Sequence, residues 1–184
     1  MQVLIVYASA TGRTQRMAEA YAEGARDAGA EALLRSAADA TADELQAADA
    51  IVLGSGVHMG GIESSMAAFL EMTSPLWLQG KLTGKLGAAF ATAGMGARGG
   101  GELTLLAMLS TLAEHGMLLV PMHNRLAGFS EAGFHWGPVA WTSPRAGEVG
   151  PTQEHLSAAR AHGRYVAECG QRWLRGERAS DSSD

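Results

Sequence analysis

The sequence has a single cysteine, Cys169, among its 184 residues. A disulfide within the chain is therefore excluded, and a reducing cytoplasm is the compartment we expect. No apolar stretch approaches the roughly 20 residues that a membrane span requires. The amino terminus has neither the basic flank nor the cleavage site of a signal peptide. We therefore expect neither a membrane span nor a secretory leader.

An excess of basic charge is also missing, because the formal net charge is -5. Domains that bind nucleic acid usually carry a basic surface, so we expect no nucleic-acid partner. Apolar residues make up 47% of the chain and charged residues 18%, which is an ordinary globular composition. The length suits one domain with a full hydrophobic core. We predict a single domain over residues 1–175 and a disordered tail over 176–184.

Several motifs of catalysis and cofactor binding are absent. The six histidines and the cysteine show neither HxxxH nor CxxC spacing, so we predict no metal site. No GxSxG nucleophile motif is present. The first apolar run is not followed by GxGxxG, and GxxxxGK[ST] does not occur. These absences disfavour a GxGxxG-type dinucleotide fold and a Walker-type NTPase.

What the sequence does contain is an alternation of buried-type strands and amphipathic helices. Continuous apolar runs predict strands at residues 3–7, 32–35, 50–53, 86–91 and 117–120. Helical spacing predicts helices at residues 14–28, 63–72, 102–115 and 153–174. A capping box over 41–44 opens a brief helix, and the stretch 123–150 is predicted to be irregular. The pattern indicates an α/β fold with a mainly parallel sheet.

Three segments that follow predicted strands are rich in glycine or hydroxyl groups, at residues 9–14, 54–61 and 92–101. We expect them to meet, because the carboxyl ends of parallel strands share one edge of a sheet. The first segment precedes a helix, whose free N–H groups and dipole favour an anion. It is predicted to hold a phosphate, the alternative being an ordinary helix cap. The other two would approach a flat ligand through their backbone, or would be simple turns.

Longer segments carry a resemblance to a known family. SATGRT resembles the phosphate loop of flavodoxins. The flavodoxin-like quinone reductases called the WrbA family are similar to MAAFLEMTSPLWLQGKLTGKLGAAFATAG, GELTLLAMLSTLAEHGMLLVP and PTQEHLSAARAHGRYVAEC. The similarity extends from Gln2 to Cys169. It implies a flavodoxin-like three-layer α/β sandwich with a five-stranded parallel sheet in the order 2-1-3-4-5 and helices on both faces.

The resemblance also implies roles for individual residues. Those that would hold the phosphate of FMN are Ser9, Ala10, Thr11, Gly12, Arg13 and Thr14. Those that would lie along the isoalloxazine ring are Val57, His58, Met59, Thr92, Ala93, Gly94, Met95, Gly96, Ala97 and Glu114. Trp77 would lie on the substrate side, where it stacks on a planar acceptor. No side chain is predicted to be catalytic, because the flavin carries out the chemistry.

The sequence departs from the family pattern at two of these places. Where the family has a P-T-R-F-G-like run, this chain has GVHMGG, so His58 and Met59 replace an arginine and an aromatic residue. Where the family often has two histidines, this chain has Glu114 followed by His115. A carboxylate near a flavin disfavours the anionic reduced form. Flavin affinity, redox potential and acceptor choice are therefore expected to differ.

The resemblance implies transfer of two electrons from NAD(P)H to a quinone or a similar planar acceptor, in a cytoplasmic homodimer or homotetramer. Two alternatives remain open. One is a flavodoxin-type carrier of single electrons, and the other is an interaction protein without flavin. The modest net charge and the long stretch 123–150 favour the enzyme over the carrier.

Overall fold

The computed structural model of the chain describes residues 1–94, 98–142 and 150–181. Helices cover both faces of a central sheet and form three layers with it. The strands are β1 Gln2–Ala8, β2 Glu31–Ser36, β3 Ala50–His58, β4 Gly61–Ile62, β5 Leu86–Gly94, β6 Leu118–Leu119, β7 Gly133–Phe134 and β8 Gly137–Thr142. The helices are α1 Arg13–Asp27, α2 Ala42–Ala47, α3 Ser64–Met72, α4 Ser74–Leu78, α5 Arg98–Glu114, α6 Phe129–Ala132 and α7 Gln153–Asp181.

The main strands are parallel and follow the order β2-β1-β3-β5-β8, with the short β7 antiparallel at the edge. The fifth position of the sheet is filled by two segments. β6 pairs with Leu86 and Gly87 at the start of β5, whereas β8 pairs with residues 91–94 at its end. With β6 and β8 counted as one interrupted strand, the order is the predicted 2-1-3-4-5. β4 is a two-residue antiparallel addition to β3.

The interrupted fifth strand corrects two predictions. The strand expected over 117–120 is only two residues long, and the stretch 123–150 contains β8 as well as α6 and β7. Pro121 lies where the first segment ends, and a proline has no N–H group to donate to a strand ladder. The chain leaves the sheet there and returns at Gly137. The apolar residues of β8 gave a pattern too short to be recognised between glycines and a proline.

Both faces of the sheet are covered, which explains why the strand sequences lack polar alternation. In β1, Leu4 and Val6 face the helices α2, α3, α4 and α5. Val3 and Ile5 face α1 and α7 on the opposite side. All four side chains are completely buried. β1 is therefore anchored in both cores at once, and it holds the loop that follows it in a fixed place.

Several element boundaries differ from the predicted ones. β3 continues through the glycines at 54 and 56 to His58, so that part of the predicted loop 54–61 is strand. Gly54 is required inside the sheet, because a Cβ atom there would collide with the ring of Phe90 on β5. Trp77 lies in the short helix α4, which was not predicted. α7 continues to Asp181, beyond the residue where we expected a disordered tail to begin, and the domain boundary itself stays a prediction.

A buried polar network joins α1, α7 and the end of β6. Nε2 of His162 lies 3.1 Å from the carbonyl oxygen of Val120, so this nitrogen carries the proton and donates it. Nδ1 of His162 then accepts from the hydroxyl of Tyr21 at 3.1 Å. Burial lowers the pKa of His162 from 6.5 to about 4, which keeps the imidazole neutral. The neutral ring satisfies its two polar neighbours without carrying a buried charge.

We predict that this network makes folding stability depend on pH. Between pH 6.5 and about 4 the unfolded chain binds a proton that the folded chain excludes. Stability is therefore complete above that window and is lost as the pH falls through it, by about 3 kcal/mol. Urea unfolding measured from pH 7 to pH 4 tests this. His162→Gln should lose stability at pH 7 but show a shallower fall, and the exposed His135→Gln should behave like the parent chain. Equal slopes in all three proteins would contradict the prediction.

Candidate functional site

The carboxyl ends of β1, β3 and β5 lie side by side, at the point where the direction in which the chain adds strands to the sheet reverses. From β1 the chain crosses to β2 on one side, and from β3 it crosses to β5 on the other. Ala8 is level with Ser55, and Ser55 is level with Ala91. Open α/β sheets bind ligands in the crevice outside such a switch point. The three segments singled out from the sequence all begin here.

The loop between β1 and α1 presents an uncapped helix start. Gly12 is the N-cap residue of α1 and has a φ of 78°, a conformation that glycine adopts without strain. No side chain caps the helix at this residue, and its first turn has no acidic residue. Ser9 Oγ accepts from the backbone N–H of Gln15 at 3.2 Å, and Thr11 is exposed. The remaining N–H groups and the positive end of the helix dipole suit a phosphate.

Two hydroxyl contacts tie this helix start to the neighbouring strands. The hydroxyls of Thr14 and Thr92 are both buried and lie 2.7 Å apart, which joins α1 to the end of β5. Nη1 of Arg13 donates to Thr142 Oγ1 at 3.3 Å, and that hydroxyl donates to the carbonyl of Ala93 at 3.2 Å. Thr14 thus has a structural partner already. The contribution of Thr142 was missed from the sequence, because its strand was not recognised.

Arg13 also carries an unsatisfied donor at this edge. Its Nε atom is buried and has no hydrogen-bond partner within the described part of the chain. A cationic donor without an acceptor is costly, whereas an anion bound nearby would offset its charge. A Cβ atom built at Gly12 or at Gly94 meets no described atom within 4 Å, so open space adjoins both ends of the crevice. These features fit a ligand that carries a phosphate group.

The second predicted segment is a tight β-hairpin. β3 and β4 pair with His58 opposite Gly61, and Met59 and Gly60 form the turn between them. Their φ angles are 48° and 84°, and both central residues of a type I′ turn need positive φ. Among the described residues, Met59 is the one non-glycine residue with positive φ. Met59 is fully exposed, so its side chain contributes no packing to the fold.

Glycines bring this hairpin against its neighbours. A Cβ atom at Gly56 would lie 3.3 Å from Nε2 of His58 and 3.7 Å from Oγ1 of Thr14. A Cβ atom at Gly100, in the first turn of α5, would lie 2.7 Å from Cγ1 of Val57. The hairpin therefore connects the start of α1 with the start of α5. Of the third predicted segment, residues 92–94 end β5 at this edge, and Met95, Gly96 and Ala97 lie outside the described residues.

Two predicted site residues lie elsewhere in the subunit. α5 starts at the carboxyl edge and ends at Glu114 after 17 residues, a length of about 25 Å. Trp77 lies in α4, which directly follows Thr73, and Oγ1 of Thr73 is 2.9 Å from Nε2 of His115. Trp77 and Glu114 therefore share the amino-terminal edge of the sheet. The fold of a single chain does not bring them to the crevice, and their assignment to the site stays a prediction.

His115 was not assigned a role from the sequence, yet it fixes this second edge. Oγ1 of Thr73 donates to the carbonyl of Leu70 at 2.7 Å, so it accepts the hydrogen bond from Nε2 of His115. Burial lowers the pKa of His115, against the opposing effect of Glu114, and the neutral imidazole suits this contact.

Among the described residues, no three potential ligands cluster as a metal site, and no helix has the length and apolar character of a membrane span.

A doubly wound sheet of this order, with a phosphate-type loop at its β1/β3 switch point, defines the flavodoxin-like class. Residues 4–103 match the Flavodoxin domain family. A solved flavodoxin, WrbA-like protein from Agrobacterium tumefaciens superposes with a TM-score of 0.72 at 28% identity, over 93% of this chain and 98% of that one. A flavodoxin from the domain Archaea superposes with a TM-score of 0.70 at 26% identity, over 93% of this chain and 99% of that one.

Curated relatives narrow the class. A protein of Methylocella silvestris named NAD(P)H dehydrogenase (quinone) is 37% identical over 91% of this chain and 96% of its own length. One of the same name from Paraburkholderia phymatum is also 37% identical, over 90% of this chain and 95% of its own length. The chain belongs to this family of flavodoxin-like proteins. The predicted fold class and the resemblance to the WrbA family are confirmed.

The turn at Met59 yields a second prediction. Replacing Met59 by Asn should raise the free energy of unfolding by about 1 kcal/mol, because Asn-Gly suits a type I′ turn and a strained methionine does not. Urea unfolding measures the change. The matched control is Met72→Asn, at the end of a helix with ordinary dihedral angles, and it should not stabilise the protein. A loss of stability in Met59→Asn would show that the methionine is not strained.

Proposed function

We propose that this protein is an FMN-dependent oxidoreductase that transfers two electrons from NAD(P)H to a quinone or a similar planar acceptor. One observation carries the proposal. An uncapped helix start, a glycine-flanked hairpin and the end of β5 meet at the switch point of the sheet. They do so in a chain that is 37% identical to a protein named NAD(P)H dehydrogenase (quinone) over most of its length.

FMN, when bound, supplies the chemistry of accepting a hydride and passing on two electrons. The protein contributes binding and orientation. The N–H groups that open α1 bind the phosphate, together with the hydroxyls of Ser9 and Thr11. Thr92 fixes the position of this loop through Thr14 rather than contacting the phosphate itself. Arg13, held by Thr142, adds positive charge beside the loop and lowers the cost of binding an anion there.

The planar part of the cofactor would be held between the hairpin at 57–60 and the end of β5 at 92–94. Backbone groups would contact it, since the exposed glycines at 60 and 94 leave the main chain accessible. His58 and Met59 take the places of an arginine and an aromatic residue of the family pattern. An exposed thioether is flexible and polarisable, so Met59 adapts to acceptors of different outline.

The donor and the acceptor use one apolar slot in turn. Trp77 contributes to this slot from another subunit of a homodimer or homotetramer, because it is remote from the crevice of its own subunit. The single cysteine fits a cytoplasmic protein. A carrier of single electrons is the second candidate, and the similarity to a solved archaeal flavodoxin is the observation that favours it.

Phosphate recognition is the first prediction from this proposal. The apo-protein should bind FMN one to one and more tightly than riboflavin, which lacks the phosphate. Thr11→Ala should weaken FMN binding by about tenfold, the value of one charge-assisted hydrogen bond, and leave riboflavin binding unchanged. Flavin fluorescence titration measures both ligands.

Two control variants show whether a change in FMN binding is specific to the phosphate loop. Thr83→Ala changes an exposed threonine away from the crevice and should affect neither ligand. Thr14→Ala should lower the free energy of unfolding as well as FMN affinity, because it leaves the buried hydroxyl of Thr92 unpaired. If the parent chain bound FMN and riboflavin equally, the loop would not hold a phosphate. If it bound no flavin, the hypothesis of an interaction protein would replace the hypothesis of an enzyme.

Kinetics separate the enzyme from the carrier. Use of one slot by two substrates predicts ping-pong behaviour, so double-reciprocal plots of rate against NAD(P)H at several quinone concentrations should be parallel. Intersecting lines would mean that donor and acceptor bind together. Accumulation of a stable one-electron form during reductive titration, without quinone turnover, would identify the carrier instead.

A further inference from the structure

The thioether of Met59 differs in exposure from those of the other described methionines. Those buried in the hydrophobic cores are Met17, Met66, Met108, Met117 and Met122. Met1 is half-buried against one of these cores, and Met72 is 41% exposed, whereas Met59 is fully exposed. An oxidant in solution therefore reaches Met59 more readily than any other methionine in the described part of the chain.

The turn that carries Met59 tolerates a chemical change in this side chain. Met59 and Gly60 connect β3 to β4, and the turn holds Met59 at a φ of 48°. An oxygen atom added to a buried methionine disrupts the core around it. An oxygen atom added at position 59 displaces no packed side chain, because the thioether is fully exposed. Met59 can therefore be modified while the protein stays folded.

The hairpin places this thioether at the carboxyl edge of the sheet, beside the candidate site. A Cβ atom at Gly100, at the start of α5, would lie 3.1 Å from the Cα atom of Gly60. On the side of α1, a Cβ atom at Gly56 would lie 3.3 Å from Nε2 of His58. The turn between His58 and Gly60 thus adjoins the crevice in which we expect a flavin to bind.

An oxidant is formed at this edge whenever dioxygen takes the place of the quinone. NAD(P)H then provides two electrons and one proton, solvent provides a second proton, and dioxygen becomes hydrogen peroxide. Peroxide transfers one oxygen atom to a thioether. The O–O bond breaks, an S–O bond forms and water leaves, so that the sulfur loses the two electrons that the peroxide gains.

Oxidation of Met59 changes the polarity of the edge of the crevice. A thioether is apolar and polarisable and makes favourable contacts with aromatic rings, whereas a sulfoxide is polar and chiral. A polar oxygen beside the acceptor slot disfavours the apolar ring of a quinone. Methionine sulfoxide reductases restore the thioether, so the change is reversible.

We propose that Met59 is a site of reversible oxidation to the sulfoxide by hydrogen peroxide formed in the crevice, and that this modification weakens the binding of apolar acceptors. The site stands on the exposure and the position of the thioether. The source of the peroxide and the effect on the acceptor rest on the proposed function.

Peptide mapping after treatment with hydrogen peroxide tests the site without any cofactor. Cleavage after glutamate, lysine and arginine leaves Met59 in the fragment 45–63, Met66 in 64–71 and Met72 in 72–81. In the folded protein, Met59 should gain oxygen at least about twice as fast as Met72 and more than about tenfold faster than the buried Met66. In protein unfolded by urea the three rates should become equal. Equal rates in the folded protein overturn the proposal.

Aerobic turnover tests the source of the oxidant. With FMN and NAD(P)H in air and without quinone, Met59 should be oxidised ahead of Met72, and omission of NAD(P)H should abolish the modification. Unmodified Met59 after NAD(P)H has been consumed overturns the proposed source. A chain that binds no FMN overturns the proposed function, and peptide mapping with added peroxide still decides whether Met59 is the modified residue.

Quinone kinetics test the consequence for the acceptor. After brief treatment with peroxide and its removal, the KM of the parent chain for quinone should rise by about threefold, as expected for the loss of one sulfur–aromatic contact. A methionine sulfoxide reductase should restore the original KM. The same treatment should leave the KM of Met59→Leu unchanged, whereas Met72→Leu should respond like the parent chain. An equal rise in Met59→Leu overturns the role of Met59.

Discussion

The hydrogen bond between the hydroxyls of Thr14 and Thr92 holds the candidate site together. It joins the first turn of α1 to the end of β5, and Thr92 of β5 is paired with Gly56 of the neighbouring strand β3. Loop, hairpin and strand end keep their mutual positions because this contact is buried and short. Gly56 adds to this arrangement, since a Cβ atom there would be in tight contact with His58 and in van der Waals contact with Thr14. The contact therefore fixes the start of α1 relative to the end of β5 at the crevice.

Much of this arrangement could be predicted from the sequence. The strand β1 and the loop after it are local features, recorded in an apolar run, a glycine and hydroxyl residues. The predicted order of the sheet came from the resemblance and agrees with the structure once the fifth strand is read as two pieces. The capping box at Thr41 and Glu44 is present, with both of its hydrogen bonds. Such patterns can be recognised in the sequence because they depend only on residues a few positions apart.

The parts that could not be predicted depend on distant partners. Nothing in the sequence around Thr14 shows that its hydroxyl is bonded to a residue 78 positions later. Gly54 and Gly56 read as loop residues, yet one makes room for Phe90 and the other for His58. Trp77 and Glu114 were placed by resemblance, and the fold sets both at the amino-terminal edge of the sheet, away from the crevice. Their distance from the crevice depends on the length and direction of α5, which a match of individual positions does not reveal.

The interruption of the fifth strand has a consequence for how the protein avoids unwanted assembly and how it can diversify. A full-length edge strand would offer a row of free N–H and C=O groups for pairing with other chains. Here β6 is two residues long, Pro121 follows it, and β7 pairs with the first two residues of β8. The excursion between the two pieces leaves the sheet and returns to it at the fifth position, beside β5, and its helix α6 packs against α7 and β8. Its length and composition can therefore change over evolutionary time with little effect on β1 and β3, whose ends form the middle of the crevice.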